Sequence, residues 1–506
     1  MNLSVNSARL DVVRRLLIRA ITCSIFLLLP SCAIPGLRRP DPAPDVPHNY
    51  SGTATTDNSA LLGIDEFFQD PFLTRLIDLA LLGNRELKGL DEEVRIARNE
   101  VLARQGSYLP FIGFGASGGI EKPSEFTPIG QAEKQLEYAP GKHFPDPLPN
   151  MMGTINIFWA LDIWRELRNG RDAAIQRYYS AAERRNTFVN RMIAEVAENY
   201  YRVMALDARL QTLDATILLQ QRSLELSKAK KDAGRGTELA VQRFQAEVRK
   251  NQSEKLIVDQ EIIVAENRIN FLANRFPQAV ERISSNFFEL TIHSLSVGVP
   301  AQLLENRPDI RQAEREIAAN GLDILVARAH FYPRLDITAS VGYQAFNPRY
   351  LFNTPEALIA NAAVNLAVPL FNRKAIQAEY MTTNARQLQS IYEYQRVILT
   401  AFTEVINMMA AVENYRQSIE IKKQQLASLE ASVDTATKLF QNARAEYVEV
   451  LLAQRDLQEA KMVLIDTKRE QLAATVKAYQ ALGGGGNLLS VSDQGLPHGG
   501  LHHHAD

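Results

Sequence analysis

Few residues of this 506-residue chain stand at spacings that could do chemistry. The stretch GFGASGG, Gly113 to Gly119, fits two enzyme patterns at once. Gly113, Gly115 and Gly118 match a dinucleotide-binding turn, and Gly115, Ser117 and Gly119 match a nucleophile elbow. Both patterns need a strand that turns directly into a helix. Here the alternation of a strand runs on through the glycines, so small residues on one strand face account for them better. Eight histidines raise the question of a metal site. Four of them, His498, His502, His503 and His504, follow the Gly483–Gly486 run with no cysteine or spaced carboxylate beside them. No cofactor and no enzymatic activity are expected. ENRPDIRQAERE, Glu305 to Glu316, is dense in charge at helical spacings and reads as a solvated helix start. Glu449 and Asp456, seven residues apart, share a helix face with Glu446 close to it. That stripe is either a solvated outer face or a place where carboxylates converge, with Arg235 and Arg444 as candidate counter-charges.

These residues must be positioned by something, and the bulk numbers narrow what it is. The chain is 46% apolar and 23% charged with a formal net charge of −2, which gives no reason to expect nucleic acid. Its one strongly apolar run, AITCSIFLLLP, follows Arg9, Arg14, Arg15 and Arg19 and is too short to span a membrane. Residues 1–31 therefore read as an export signal. LPSC, ending at Cys32, resembles a bacterial lipoprotein box, with Pro30 departing from the usual residue at its position. Cys32 is then the acylated N-terminus, and the one cysteine left can form no internal disulfide. Each buried methylene of the lipid adds about 0.8 kcal/mol, so several acyl chains make a durable anchor. Residues 32–60, proline-rich from AIPGLRRPDPAPDVPHNY onward, read as a tether without a core-forming pattern.

Beyond the tether the chain repeats itself. Ile391, Ile398, Val405, Val412, Ile419, Leu426, Val433 and Phe440 recur every seventh residue. A second row three positions on is apolar except at Lys422. This is a heptad helix of coiled-coil type. Moved back 209 positions, the first row reappears as Val189, Val196, Val203, Leu210, Ile217 and Leu224. Two long helices are expected, Arg165 to Lys231 and Arg373 to Gln441, each reaching about 100 Å. Both break at matching turns, around Gly234, Arg235 and Gly236 and around Ala443, Arg444 and Ala445. Shorter helices then return to about Phe276 and Leu482. The expected division is a first repeat over 61–285, a second over 286–482, and a Gly/His-rich tail over 483–506.

Each repeat also carries strands, expected near 111–120, 154–163, 335–346 and 358–370. In RLDITASVGYQAF, Leu335, Ile337, Ala339, Val341 and Tyr343 alternate with Asp336, Thr338, Ser340 and Gly342. TINIFWALDI and NAAVNLAV alternate likewise, and Trp159 and Trp164 stand where an interfacial aromatic belt would sit. Strands of about ten residues, apolar on one face, suit a transmembrane β-barrel. Four cannot close one, because small barrels need about eight and an open edge cannot face lipid. The barrel is then shared between subunits; the alternative is a soluble four-stranded sheet packed on the helices.

In this order the residues become familiar. ENRPDIRQAEREIAANGLDILVARAHFYPRL, Glu305 to Leu335, resembles the second-repeat signature of the TolC-like outer membrane efflux family. INIFWALDIWRELRNGRDAA and VPLFNRKAIQAEY resemble its strand-to-helix returns, and AEYVEVLLAQRDL its second periplasmic turn. With the leader cysteine, the likeness is to the lipoprotein (NodT-like) branch. Arg165 and Arg373-Lys374 depart from glycines usual at those joints. The resemblance implies a mixed α/β membrane protein: a homotrimer whose twelve strands form one outer-membrane β-barrel continuous with a periplasmic α-helical barrel. It implies an outer-membrane exit duct that meets a periplasmic adaptor at the helical turns and an inner-membrane pump of RND type. On a threefold axis, Glu446, Glu449 and Asp456 would each recur as three carboxylates near a pore constriction. The alternatives are a type I secretion duct and a non-conducting coiled-coil lipoprotein.

Overall fold

The computed structural model describes residues 34–45, 47, 50, 58–283, 287–292, 296–369, 373–442 and 444–485. The leader, Cys32, Ala443 and the tail beyond Gly485 lie outside the described residues. In chain order the helices are α1 (Ile64–Phe68), α2 (Pro71–Gly83), α3 (Arg85–Ser107), α4 (Pro128–Gln135), α5 (Glu166–Asp232), α6 (Glu238–Leu272), α7 (Gln302–Asn306), α8 (Pro308–Ala329), α9 (Lys374–Gln441) and α10 (Tyr447–Ala481). The strands are β1 (Phe111–Glu121), β2 (Glu137–Ala139), β3 (Lys142–His143), β4 (Leu148–Leu161), β5 (Arg334–Ala345) and β6 (Leu358–Ala367). Cα proximity separates two compact units, one of 34–41, 99–176 and 317–391, the other of 42–98, 177–316 and 392–485. Each unit draws on both halves of the repeat.

The first unit is built on a sheet of order β1-β4-β5-β6, antiparallel throughout. Its register lines up one face. Ile157 stands opposite Ile112 and Ala339, Trp159 opposite Ile337, and Leu161 opposite Leu335. Ile337 and Leu335 in turn face Val364 and Leu366. Residues paired directly across strands point to the same side, so this side is apolar across all four strands and exposed in the protomer, Val364 at 65%. The other side carries Gly113, Gly115, Ser117, Asn156, Ser340, Gly342 and Asn361. Gly342 is required there, because a Cβ would lie 2.1 Å from the Gly153 carbonyl oxygen. The strands β1 and β6 are edges, each with one unpaired side.

Two boundaries differ from the sequence reading for definable reasons. The strand expected from Thr154 begins at Leu148, where Pro147 and Pro149 hide the alternation; Pro149 is tolerated as the second residue of the strand. The same strand ends at Leu161 because Asp162 turns away to cap α5, its two carboxylate oxygens accepting the Leu167 and Arg168 amides, each at 3.0 Å. At the departure from glycine, Arg165 takes the left-handed conformation (φ 58°) that glycine would take freely. The joint thus keeps a glycine-like backbone at the expense of strain.

The second unit is a helical core in which Met192, Ile193, Tyr200 and Val203 of α5 meet Leu73 and Ile77 of α2, Ile269 of α6, and Ile465, Val476 and Tyr479 of α10. Each such side chain, fully buried, contributes about 1.5–3 kcal/mol. The heptad rows turn inward as expected: Val196, Val203 and Leu224 are buried, and so are Val405, Ile419 and Val433. The return helices α6 and α10 have 35 residues each. Each ends in a paired closure of the last turn, Arg275 N–H to Asn270 O around Asn274 (φ 53°) and Gly484 N–H to Tyr479 O around Gly483 (φ 91°). Asn274 therefore stops α6 at Leu272, short of the expected Phe276.

Because left-handed geometry costs an L-residue about 1–2 kcal/mol, Arg165→Gly should stabilise the chain by about 0.5–1 kcal/mol once glycine's greater unfolded-state freedom is discounted. Arg165→Val should destabilise it. Unfolding of the detergent-solubilised protein measures both, and a lower unfolding midpoint for the glycine variant would contradict the reading.

Candidate functional site

The two helical turns come together in the second unit. After α5, Arg235 N–H donates to Lys230 O at 2.8 Å and Gly234 N–H to Lys231 O at 2.9 Å, with Gly234 at φ 67°. This closure needs a residue at ease in the left-handed region. Arg444 N–H closes onto Leu439 O at 2.8 Å in the second turn. Gly236 permits close approach, since a Cβ there would meet the Lys231 amide nitrogen at 2.8 Å. Thr237 then caps α6 through the Ala240 amide at 3.2 Å, whereas Glu446 occupies the cap of α10 without a side-chain bond. Beneath the turns Leu224, Val241, Phe244, Phe440, Val450 and Leu451 form one apolar cluster. Lys230 spans it, its ammonium 3.7 Å from the Phe440 ring centroid and bonded to the Phe440 carbonyl. Burial lowers the pKa of Lys230 from its ordinary value. Lys231 and Glu238, 2.6 Å apart, brace the first turn, and their hydrogen bond lowers the Glu238 pKa and raises that of Lys231.

Gly234, Arg235, Gly236 and Arg444 are exposed, and Ala445 is half-buried. Glu446, Glu449 and Asp456 are exposed as well. Among the described residues none of these three carboxylates pairs with Arg235 or Arg444 within the protomer. Asp456 has its counterpart 209 positions back in Glu247, which is buried and paired with Arg455.

Two polar constructions were not read from the sequence. Below the apolar cluster, α5, α6 and α10 are tied by buried amides and hydroxyls. Asn251 Nδ2 donates to Gln220 Oε1 at 2.8 Å, Gln458 Nε2 to Asn251 Oδ1 at 2.7 Å, and Gln454 Nε2 to Ser223 Oγ at 2.9 Å. The signal was present: Gln220 and Ser227 follow Leu206 and Leu213 at one heptad position on α5. Lys422, the flagged exception on α9, finds Thr467 of α10 at 2.5 Å.

The second construction corrects the reading of Glu305–Glu316 as a solvated helix start. Arg307 is only 8% exposed. Its guanidinium holds Asp309 through two bonds (2.6 and 3.0 Å), Glu404 at 2.9 Å and the Ala481 carbonyl at 2.8 Å. A planar fork with five donors suits this many acceptors, and the Ala481 bond satisfies an orphan carbonyl at the end of α10. Arg307 thus joins the start of α8 to α9 and to the last turn of α10.

A two-part helix-and-strand repeat with this Arg-Pro-Asp clamp is matched by the profile for outer membrane efflux proteins over residues 76–275 and 299–484. The chain belongs to this family. The solvent efflux pump outer membrane protein SrpC of Pseudomonas putida is 27% identical over 429 residues, 84% of this chain and 88% of that one. The probable outer membrane lipoprotein SilC of Salmonella typhimurium is 24% identical over 475 residues, 92% and 99% of the two chains. A crystal structure of CusC, described in terms of transmembrane channel formation, superposes with a TM-score of 0.78 at 25% identity, covering 89% of this chain and 99% of the other. The protein is an outer membrane efflux protein, mostly helical with a sheet of four long strands.

Replacing Arg307 with Met leaves the Ala481 carbonyl without its donor and Asp309 with the Ile310 amide at 2.9 Å in place of the guanidinium, at a cost of about 2–3 kcal/mol. Faster amide exchange confined to residues 479–484 and the start of α8 is the expected result; exchange unchanged at both places would contradict it.

Proposed function

We propose that three copies of this chain form a passive outer-membrane exit duct for a tripartite efflux system. The observation that carries this reading is the four-stranded sheet, apolar across one whole face and unpaired at both edges. Lipid can cover the face, but no lipid can satisfy an open strand edge. Pairing β1 of one copy with β6 of the next closes twelve strands, within the range of outer-membrane barrels. The helices support the same assembly. Helix α6 presents Leu256, Ile257, Ile263, Val264 and Phe271, each at least half exposed, along one ridge, and α9 exposes Leu399 and Ile421. Apolar ridges on helices whose other faces are already packed are met by neighbouring copies.

In this arrangement the turns around Gly234, Arg235 and Gly236 and around Ala443, Arg444 and Ala445 form the periplasmic tip and receive the adaptor, which links the duct to an inner-membrane pump of RND type. Glu446, Glu449 and Asp456 follow the second turn and recur as rings of three carboxylates at the constriction. Like charges on one axis favour cations. Cys32 is acylated and anchors the mature N-terminus in the outer membrane.

Planar-bilayer recording tests the duct. Purified trimer should conduct with a preference for cations, Glu449→Ala should reduce that preference, and Arg444→Ala should raise the open fraction. A non-conducting trimer overturns the duct; unchanged selectivity in Glu449→Ala with the trimer intact moves the stripe to the outer face. On the sheet, a charge at Val341 or Leu366 should cost about 2–4 kcal/mol per copy near the bilayer midplane, and the same change at Ser340 or Asn365 far less. Trimer yield after detergent extraction reads the difference.

A further inference from the structure

The segment that follows Cys32 is bound in place. Ile34, two residues on, packs into a cluster of Ile324, Ala327, Phe331 and Tyr380 with Ile376 beside it. Four residues later the buried side chain of Asn384 treats the backbone of Arg38 as a neighbouring strand would. Asn384 Oδ1 accepts the Arg38 amide at 2.9 Å, and Nδ2 donates to the Arg38 carbonyl at 3.3 Å. The expected featureless tether is therefore fixed on α8 and α9 at its start. A chain advances at most about 3.6 Å per residue, so the two-residue step from Ile34 back to Cys32 can cover no more than about 7 Å.

Beside this cluster is a cavity of 430 Å³ where strands meet helices, walled by Leu161, Ile163, Trp164, Val368 and Ile376. Its size falls in the range of ligand pockets, about 300–1,000 Å³. Ile376 belongs to both the cavity wall and the cluster that seats Ile34. Trp164 is locked as a wall: its ring stacks on Tyr332 with centroids 4.5 Å apart, and its Nε1–H donates to Pro333 O at 2.8 Å. With its one donor satisfied, the indole offers only apolar surface to an occupant. The charged or titratable groups Asp162, Glu166, His330 and Arg334 also line the cavity, and Asp162 is engaged by the Leu167 and Arg168 amides. His330 is engaged by Glu379 at 3.1 Å and Glu166 at 3.4 Å.

We propose that an acyl chain carried by Cys32 lies in this cavity, so that the lipid is a packed part of the strand-to-helix joint as well as a membrane anchor. The inference rests on the acylation of Cys32 proposed above. Asn384 is the positioning residue, since it fixes the direction in which the segment leaves α9.

Cells fed a diazirine-bearing fatty acid supply the probe, and the assembled protein is irradiated in its membrane and digested for mass spectrometry. The expected result is a cross-link from the acyl group on Cys32 to peptides containing Ile163–Trp164 or Ile376. Asn384→Ala should reduce it several-fold, and Ile376→Trp, which fills the cavity, should abolish it, with fatty acid on Cys32 and assembly unchanged in both. A labelled Cys32 whose acyl group cross-links only to bilayer lipid overturns the proposal. Equal labelling of the cavity peptides in Cys32→Ser protein also overturns it, by assigning the cavity to free phospholipid. Absence of fatty acid from Cys32 removes the acylation reading and this proposal together.

Discussion

The constraint on which the rest depends is backbone hydrogen bonding in a sheet with one apolar face and two open edges. Four strands supply an apolar face but leave β1 and β6 each with one unpaired side. In water such edges can be hydrated; in hydrocarbon each orphaned amide or carbonyl costs several kcal/mol. One chain cannot resolve this, because closure needs about eight strands. The proposed trimer meets this demand, and the remaining features are consistent with it. In the proposed trimer the glycines, serines and asparagines opposite the apolar face line a lumen rather than a core. Helix α9 is unusually evenly apolar, with an 18-residue stretch only 11% buried in the protomer. Such a stretch needs a partner surface, which a neighbouring copy provides in the proposed trimer.

The helical unit is stabilised differently in its different layers. Apolar heptads hold its middle, where Val203, Leu213 and Ile465 are buried. Toward the turns, polar contacts take over, from Gln220, Asn251 and Gln458 to Ser223 and Gln454. Amide layers of this kind specify register, because a slip of one heptad strands every donor. At the other end of the return helices, Arg307 closes α10 onto α8 and α9. The Arg-Pro-Asp of residues 307–309 is thus a fastening of helix ends.

Much of the fold was legible because its signals are periodic. The heptads located α5 and α9 to within a residue, and alternation placed β5. Readings failed where a local interaction competed with the period. Pro147 and Pro149 obscured the start of β4. Asp162 continued the alternation on paper yet serves as a helix cap. Arg165 broke a glycine pattern without changing the backbone. Charge density around Arg307 read as solvation, since sequence spacing carries no information on burial by a helix end more than 170 residues away. The turns were legible from Gly234 and Gly236, but any convergence of Glu446, Glu449 and Asp456 depends on copies of the chain, which no intrachain pattern encodes.

The central claim is that β1 and β6 close on neighbouring copies, and disulfide capture tests it directly. Cysteines are placed singly at Gly113, Gly115 or Ser117 of β1 and paired with Asn361 or Ala363 of β6, in an otherwise Cys32→Ser chain. Paired residues of adjacent antiparallel strands lie about 4.5–5.5 Å apart, within disulfide reach. For the pair in register, oxidation in the membrane should give a covalent trimer, and co-expression of the two single variants should give covalent dimers. A disulfide that forms within one chain, leaving a folded monomer on denaturing gels, would contradict the account.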